Sequence, residues 1–162
     1  MFLPERLTSR HDLTAFDCGV PTLDDWLRQT ALMAQAKGVT VTDVWSDAGR
    51  VVAYYSVSPT AVISDGLPRG ASTGLDVIPG YLLGRLALDR SLQGQGLGER
   101  LLVHALERIV RAADAGGGRL IVVDAIDDTA AGFYAHFGFH SVPGTMRVVM
   151  KVSTVRDTKG PK

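Results

Sequence analysis

An α+β or α/β domain is predicted by three observations. Apolar residues recur at helical spacing in two separated stretches, β-branched and aromatic runs lie between and after them, and glycine or proline clusters mark the junctions. The 162 residues are 46% hydrophobic and 21% charged, a globular composition with too much apolar material for disorder. A single domain over residues 1–152 is expected, followed by a flexible polar tail, STVRDTKGPK, over 153–162.

The elements follow in order. Leu23, Trp26, Leu27, Thr30 and Ala34 share a helical face, so a first helix is expected over 22–37, with Thr22 and Asp25 as a capping pair and Gly38 as its stop. VTVTDVWSD and RVVAYYSVSP, separated by Ala48 and Gly49, read as a hairpin. Residues 64–80 carry glycines and prolines and read as a loop, and YLLGRLALD after them as a strand buried on both faces. Leu97, Leu101, Leu102, Ala105, Leu106, Ile109 and Val110 then trace a long amphipathic helix that Gly116 to Gly118 end. RLIVVDAI is a buried strand. A short helix, TAAGFYAHF, begins at Asp128 or Thr129 with Gly138 as its C-terminal cap, and TMRVVMKV closes as a strand. The expected order is α, β, β, β, α, β, α, β.

Seventeen Lys and Arg balance 17 Asp and Glu, giving a net charge of zero. No global field draws such a chain onto nucleic acid, so RNA binding would need a local patch. No apolar run is long enough for a membrane span, and MFLPERLTSR lacks the pattern of a signal peptide, so a cytoplasmic, non-membrane protein is expected. The lone Cys18 fits a reducing compartment and reads as a packing residue. His11, His104, His136 and His140 show no metal-ligand spacing, so no metal is expected.

QGQGLG, residues 93–98, lies between a strand and a helix. A glycine-rich turn there points unpaired N–H groups and the positive end of the helix dipole at one place, which is an anion site. Gly94, Gly96 and Gly98 are spaced two and two, which fails the G-x-G-x-x-G dinucleotide pattern, and no Gly-Lys-Ser/Thr ends the stretch as a P-loop needs.

Gln93, Gly96 and Gly98 match the Q/R-x-x-G-x-G/A signature of the GCN5-related N-acetyltransferases (GNAT), and AGFYAHFGF, residues 131–139, resembles that family's tyrosine-bearing helix. FDCGVPTLDDWL, LGRLALDRSLQGQGLG and FYAHFGF together resemble the narrower branch of acetyltransferase toxins from bacterial toxin–antitoxin modules. The resemblance implies the GNAT fold, a mixed, mostly antiparallel sheet with splayed strands flanked by helices. It implies acetyl-CoA as donor, the α-amino group of aminoacyl-tRNA as acceptor, inhibition of translation, a ribbon-helix-helix antitoxin as partner, and a homodimer.

On that resemblance Tyr134 is the expected catalytic acid that protonates the thiolate of CoA. The backbone of Leu86, Ala87 and Leu88 would pair with the pantetheine arm like an added strand, with the Leu88 N–H polarising the thioester carbonyl. Gln93, Gly94, Gln95, Gly96, Leu97 and Gly98 would hold the pyrophosphate, and Phe133 would line the cofactor tail. No general base stands out, and Asp89 and Asp124 read as turn or surface carboxylates. An α-amino group titrates near 7.7 to 8.0, against about 10.4 for lysine, so an aminoacyl ester demands less help in losing its proton. Arg28, Lys37, Arg85 and Arg90 are the candidate RNA contacts, with Arg147 and Lys151 further out; Arg90 is also a candidate to meet a phosphate of the donor or of the acceptor. Two other readings stay open: a GNAT enzyme acting on a small amine or a protein N-terminus, and an inert acyl-CoA sensor or protein-binding module.

Overall fold

The computed structural model describes residues 2–68 and 70–158. Its elements are β1 (Glu5–Arg6), α1 (Pro21–Gln29), α2 (Ala31–Ala36), β2 (Val41–Asp47), β3 (Arg50–Ile63), β4 (Val77–Leu88), α3 (Leu97–Gly116), β5 (Leu120–Asp124), α4 (Asp128–His136), β6 (His140–Ser141), β7 (Arg147–Lys151) and α5 (Val152–Thr158). The strand order is β1-β2-β3-β4-β5-β7-β6. β4 and β5 run parallel, while β1–β2, β2–β3, β5–β7 and β6–β7 are antiparallel. This is the mixed, mostly antiparallel sheet that the family resemblance implies. By contacts the chain divides into two compact units, Met1–Ser58 with Gly84–Ala105 and Pro59–Leu83 with Leu106–Lys162.

In the first unit α1 and α2 cover one face of β2 and β3 through a core of Leu7, Phe16, Leu27, Ala31, Val44, Tyr54 and Ala87. The single helix expected over 22–37 is two, because Thr30 leaves helical geometry at φ −126°. The break lets the α2 side chain Gln35 reach sideways, donating to Leu7 O at 2.9 Å and accepting from Thr42 N–H at 3.0 Å. Nor do Thr22 and Asp25 cap the first helix: it starts at Pro21, whose ring presets φ and removes one orphan N–H, with no side-chain cap. The buried Asp24 instead accepts the N–H of Cys18 at 3.0 Å, tying down the residues that enter the helix. Trp45 is fully buried and donates its indole N–H to Nδ1 of His104 on α3 at 2.9 Å, so His104 is an internal acceptor rather than a solvated residue.

In the second unit Val62, Ala71, Ile78, Leu120, Val122, Val142 and Val149 form the core. β3 runs past Pro59 to Ile63 and β4 starts at Val77, so the loop expected over 64–80 is shorter. Ser64 N–H donates to Asp76 O at 2.9 Å and closes its neck. Inside it the Arg119 guanidinium donates to the carbonyls of Ala71 and Gly70, each at 2.7 Å. β4 is not buried on both faces: Ile78, Leu83 and Ala87 are its buried side chains, set among exposed and half-buried positions. Residues 153–158 are not a loose tail. Val152 and Val155, three apart, bury one face of α5, and Arg156 pairs with Asp114. Residues 159–162 of the expected tail lie outside the described residues.

Candidate active site

The turn after β4 is built from its ends inward. At its start Asp89 accepts the N–H and hydroxyl of Ser91 at 3.0 and 2.7 Å on one oxygen and the N–H of Asp17 at 3.0 Å on the other. Burial pushes the Asp89 carboxyl up, but the N–H of Asp17 and the two bonds from Ser91 more than reverse this and leave it below its ordinary range. Asp89 is thus a committed acceptor, unsuited to take a proton. Gln93 closes the other side, its amide donating to Leu88 O at 2.8 Å and Cys18 O at 2.9 Å. Both donors of the Gln93 side chain are therefore spent on bracing the turn.

Gly94 and Gly96 follow with φ of +78° and +76°, and a Cβ at either position would meet nothing within 4 Å. Glycine is needed there for the left-handed backbone and not for space. Alternating residues of this hand turn successive N–H groups toward one side, and Leu97 then begins a 20-residue helix. Among the described residues none accepts from the N–H groups of Gly94 to Gly98, leaving a cradle of free donors at the positive end of α3. Gln95, like Gln93, donates its side chain internally, to Ser91 O at 3.1 Å.

The strand leading into this turn changes character along its length. The parallel register of β4 with β5 holds at Gly80↔Leu120, Tyr81↔Ile121 and Leu82↔Val122 and goes no further. β5 continues to Asp124 with β7 on its other edge, and β4 continues to Leu88. Within the first unit Asp89 N–H donates to Val52 O on β3 at 2.9 Å. Alternation along the strand therefore turns the Leu88 N–H to the opposite edge, which is the direction needed to meet an added extended chain. Ala87 is buried, and Leu86 and Leu88 are half-buried.

Tyr134 sits near the end of α4 and is fixed by how that helix starts and stops. Asp127 caps the N-terminus, accepting Ala130 N–H at 2.8 Å. At the other end Gly138 N–H bonds Ala135 O at 3.0 Å and Phe139 N–H bonds Tyr134 O at 3.2 Å, a Schellman closure around Gly138 at φ +96°. The closure sets the Phe139 ring edge-on to Tyr134 at 5.5 Å, and Phe133 lies edge-on at 5.3 Å. Tyr134 is 7% exposed, and this burial raises its phenol pKa above the ordinary 10, so the group stays protonated at neutral pH. Its hydroxyl makes no hydrogen bond to any described residue. Asp124 is held below its usual range by bidentate bonds from Arg147 at 2.7 and 2.9 Å and offers no base.

The cations separate clearly. Arg28 is engaged by Phe16 O at 2.9 Å and Asp25 at 3.3 Å, Arg90 by Asp17 at 3.1 Å, and Arg147 by Asp124. Lys37 ends α2 on the surface, and Lys151 lines a cavity of about 440 Å³ with His140, Met150 and Thr154. Arg85 lies over the ring of Trp26, 3.8 Å from its centroid. Sequence reading missed Asp17, Cys18 O and Trp26 as parts of these assemblies. Nothing local signals them, because their partners lie 59 to 75 residues away. Among the described residues no group of three or more metal-ligating side chains occurs, and no helix is long and apolar enough to cross a membrane.

A cradle of N–H groups at a helix start, a strand that outruns its parallel partner and a buried tyrosine at a helix end are features of an acyl-CoA-dependent transferase. A family model described as an acetyltransferase (GNAT) domain matches residues 41–141, and the chain belongs to that family. It is 41% identical over 141 residues to the tRNA-acetylating toxin of Mycobacterium tuberculosis, covering 86% of this chain and 85% of that one. Among solved structures it is similar to AtaT complexed with acetyl-methionyl-tRNAfMet (TM-score 0.89, 26% identity, 99% of this chain and 100% of that one). It is also similar to a tyrosine-to-phenylalanine mutant of AtaT bound to the C-terminus of the antitoxin AtaR and acetyl-CoA (TM-score 0.83, 28% identity, 98% and 97%).

Proposed function

We propose that this protein is a toxin that transfers the acetyl group of acetyl-CoA to the α-amino group of aminoacyl-tRNA and so blocks translation. The observation that carries the reading is the 41% identity, across most of both chains, to a protein named for tRNA acetylation. The cradle at Gly94 to Gly98 supports it from the donor side, since five unpaired N–H groups at a helix N-terminus suit the pyrophosphate of CoA. Gln93 acts on the pyrophosphate indirectly, by bracing the turn that presents those groups.

Leu86 to Leu88 offer backbone donors and acceptors to the amide groups of the pantetheine arm, and the outward Leu88 N–H stabilises the oxyanion that forms when the amine attacks the thioester carbon. As the intermediate collapses, the C–S bond breaks and the Tyr134 hydroxyl gives its proton to the leaving sulfur, regaining one from solvent. The amine loses its proton to water, which suffices because an α-amino group is partly neutral at pH 7 to 8. Phe133 walls the apolar side of Tyr134. Arg28, Lys37 and Arg90, with Arg147 and Lys151 further out, are proposed to meet the RNA through weak surface contacts that a homodimer would align. A ribbon-helix-helix antitoxin is the proposed partner and the cytoplasm, where charged tRNA resides, the proposed location.

The test is transfer of labelled acetyl from acetyl-CoA to a panel of charged tRNAs, free amino acids, polyamines and peptides. Label on a charged tRNA, stable to free-amine competition, is the expected result. Label on polyamines or peptides alone would replace this reading with that of a small-amine or N-terminal acetyltransferase.

A further inference from the structure

We propose that Arg85, held flat on Trp26, receives a phosphodiester at the 3′ end of the acceptor RNA, an anion site separate from the donor's. The inference rests on the reading of the acceptor as aminoacyl-tRNA and adds how that acceptor is gripped.

Arg85 differs from most arginines of the described structure in resting on an aromatic face rather than meeting an oxygen. Arg6, Arg28, Arg90, Arg147 and Arg156 each meet a carboxylate, and Arg119 meets two carbonyls. Among the described residues Arg85 has no hydrogen-bonding partner and no ion pair; it packs on the indole face of Trp26, 3.8 Å from the ring centroid. Trp26 in turn stacks on Tyr54, with centroids 6.0 Å apart and planes within 14°. Tyr54 is fully buried, is wedged by Phe16 at 5.6 Å, and donates its hydroxyl to Leu23 O at 2.7 Å. The guanidinium thus rests on an anchored aromatic column that fixes its plane and leaves all five N–H donors unused.

Such a group is arranged for a tetrahedral oxyanion. A planar fork held by stacking loses little freedom when it binds phosphate in bidentate fashion. Arg85 is half-buried, and burial, only partly opposed by the nearby Tyr54, lowers its pKa. A partly dehydrated cation without a counter-ion gains more from an incoming anion than a fully hydrated one does.

Position selects the source of that anion. Arg85 precedes the Leu86–Leu88 segment by one residue and lies about 10 Å along the strand from Leu88, at roughly 3.3 Å per residue. The N–H cradle for the donor's pyrophosphate begins beyond Leu88, so Arg85 belongs to the acyl end of the donor, where the acceptor's amine arrives. In an aminoacyl-tRNA the phosphate nearest that amine is the one joining the last two nucleotides.

The experiment compares full-length wild type with Arg85→Lys, which keeps charge but loses the planar fork, and Arg85→Met, which keeps only the stem over Trp26. Each is assayed with aminoacyl-tRNA and with aminoacyl-adenosine, which presents the same ester and amine without a phosphate, and acetyl-CoA affinity is measured by calorimetry. Wild type should prefer the phosphate-bearing acceptor, and both variants should lose at least about tenfold of that preference through KM, a loss of the size expected for one contact. With Arg85→Met, which removes the charge, the slope of log KM against log salt should fall by about 0.7, as for one single-strand phosphate contact, whereas with Arg85→Lys it should stay near wild type. An unchanged preference in an active enzyme overturns the inference alone. Equal losses on both acceptors would make Arg85 a structural residue, and weakened acetyl-CoA binding would assign it to the donor; either outcome overturns it. Failure of wild type to acetylate any aminoacyl-tRNA would instead overturn the acceptor reading beneath it.

Discussion

The turn at residues 93–98 and the helix end at 134–139 are fixed by opposite means. The turn is polar and open: its backbone donors are left without partners, and side chains from Asp89, Gln93 and Gln95 brace it from behind. The helix end is apolar and closed, with every bond of its Schellman motif made and Tyr134 clamped between Phe133 and Phe139. The difference follows from what each would hold. An anion needs donors that nothing else satisfies, and a proton donor needs surroundings that keep it neutral and still.

The sharpest break of this comparison is Tyr134→Phe. The ring contacts survive and only the hydroxyl goes, so kcat should fall by about 10² to 10⁴ while acetyl-CoA affinity and melting temperature stay near wild type. A kcat within threefold of wild type would remove Tyr134 from the chemistry. Next in size, Gly96→Val places a β-branched residue at φ +76°, at a cost of about 1 to 3 kcal/mol. Acetyl-CoA affinity by calorimetry should drop with it, whereas Tyr134→Phe leaves that affinity alone. Gln93→Ala removes the two bonds to Leu88 O and Cys18 O and should cost about 1 to 3 kcal/mol in chemical denaturation, weakening the donor by loosening the turn.

The pH profile is a subtler test of the closed region. Because burial raises the Tyr134 pKa above its ordinary value, its acid form persists at every pH below that value and is lost only in strong alkali. kcat/KM for an aminoacyl acceptor should therefore rise through the amine's own pKa near 7.7 to 8.0 and stay level to about pH 9. A falling limb below pH 9 would count against a buried phenol as the acid. The smallest effect is expected from Asp124→Asn. The native carboxyl is held below its unfolded value, so its bond to Arg147 stabilises above that value and is lost as pH falls. Being half-exposed, it should change stability by less than about 1 kcal/mol and leave kcat unaltered, in keeping with water as the base.

The two regions were also legible in the sequence to different degrees. Gly94, Gly96 and the leucine repeat of α3 act through neighbours in the chain, so spacing alone reveals an anion-binding turn on a helix. Tyr134 looks like any aromatic of a short helix, and only the resemblance of AGFYAHFGF to a family singles it out. The Gln93 brace and the Arg85 stack were beyond reach, because Cys18 lies 75 residues from Gln93 and Trp26 is far in sequence from Arg85. α5 was hidden for another reason: Val152 and Val155 are two apolar residues among polar ones, too few to register as a helical face. The break at Thr30 was hidden because apolar spacing continues across it.

The most direct measurement of the central claim is the chemical identity of the acetylated product. Charged tRNA is incubated with the protein and acetyl-CoA, the aminoacyl ester is cleaved by mild alkali, and the released amino acid is analysed by mass spectrometry. An α-N-acetyl amino acid with wild type, strongly reduced with Tyr134→Phe, is the predicted result. Release of only the unmodified amino acid, under conditions where the protein binds acetyl-CoA, would contradict it.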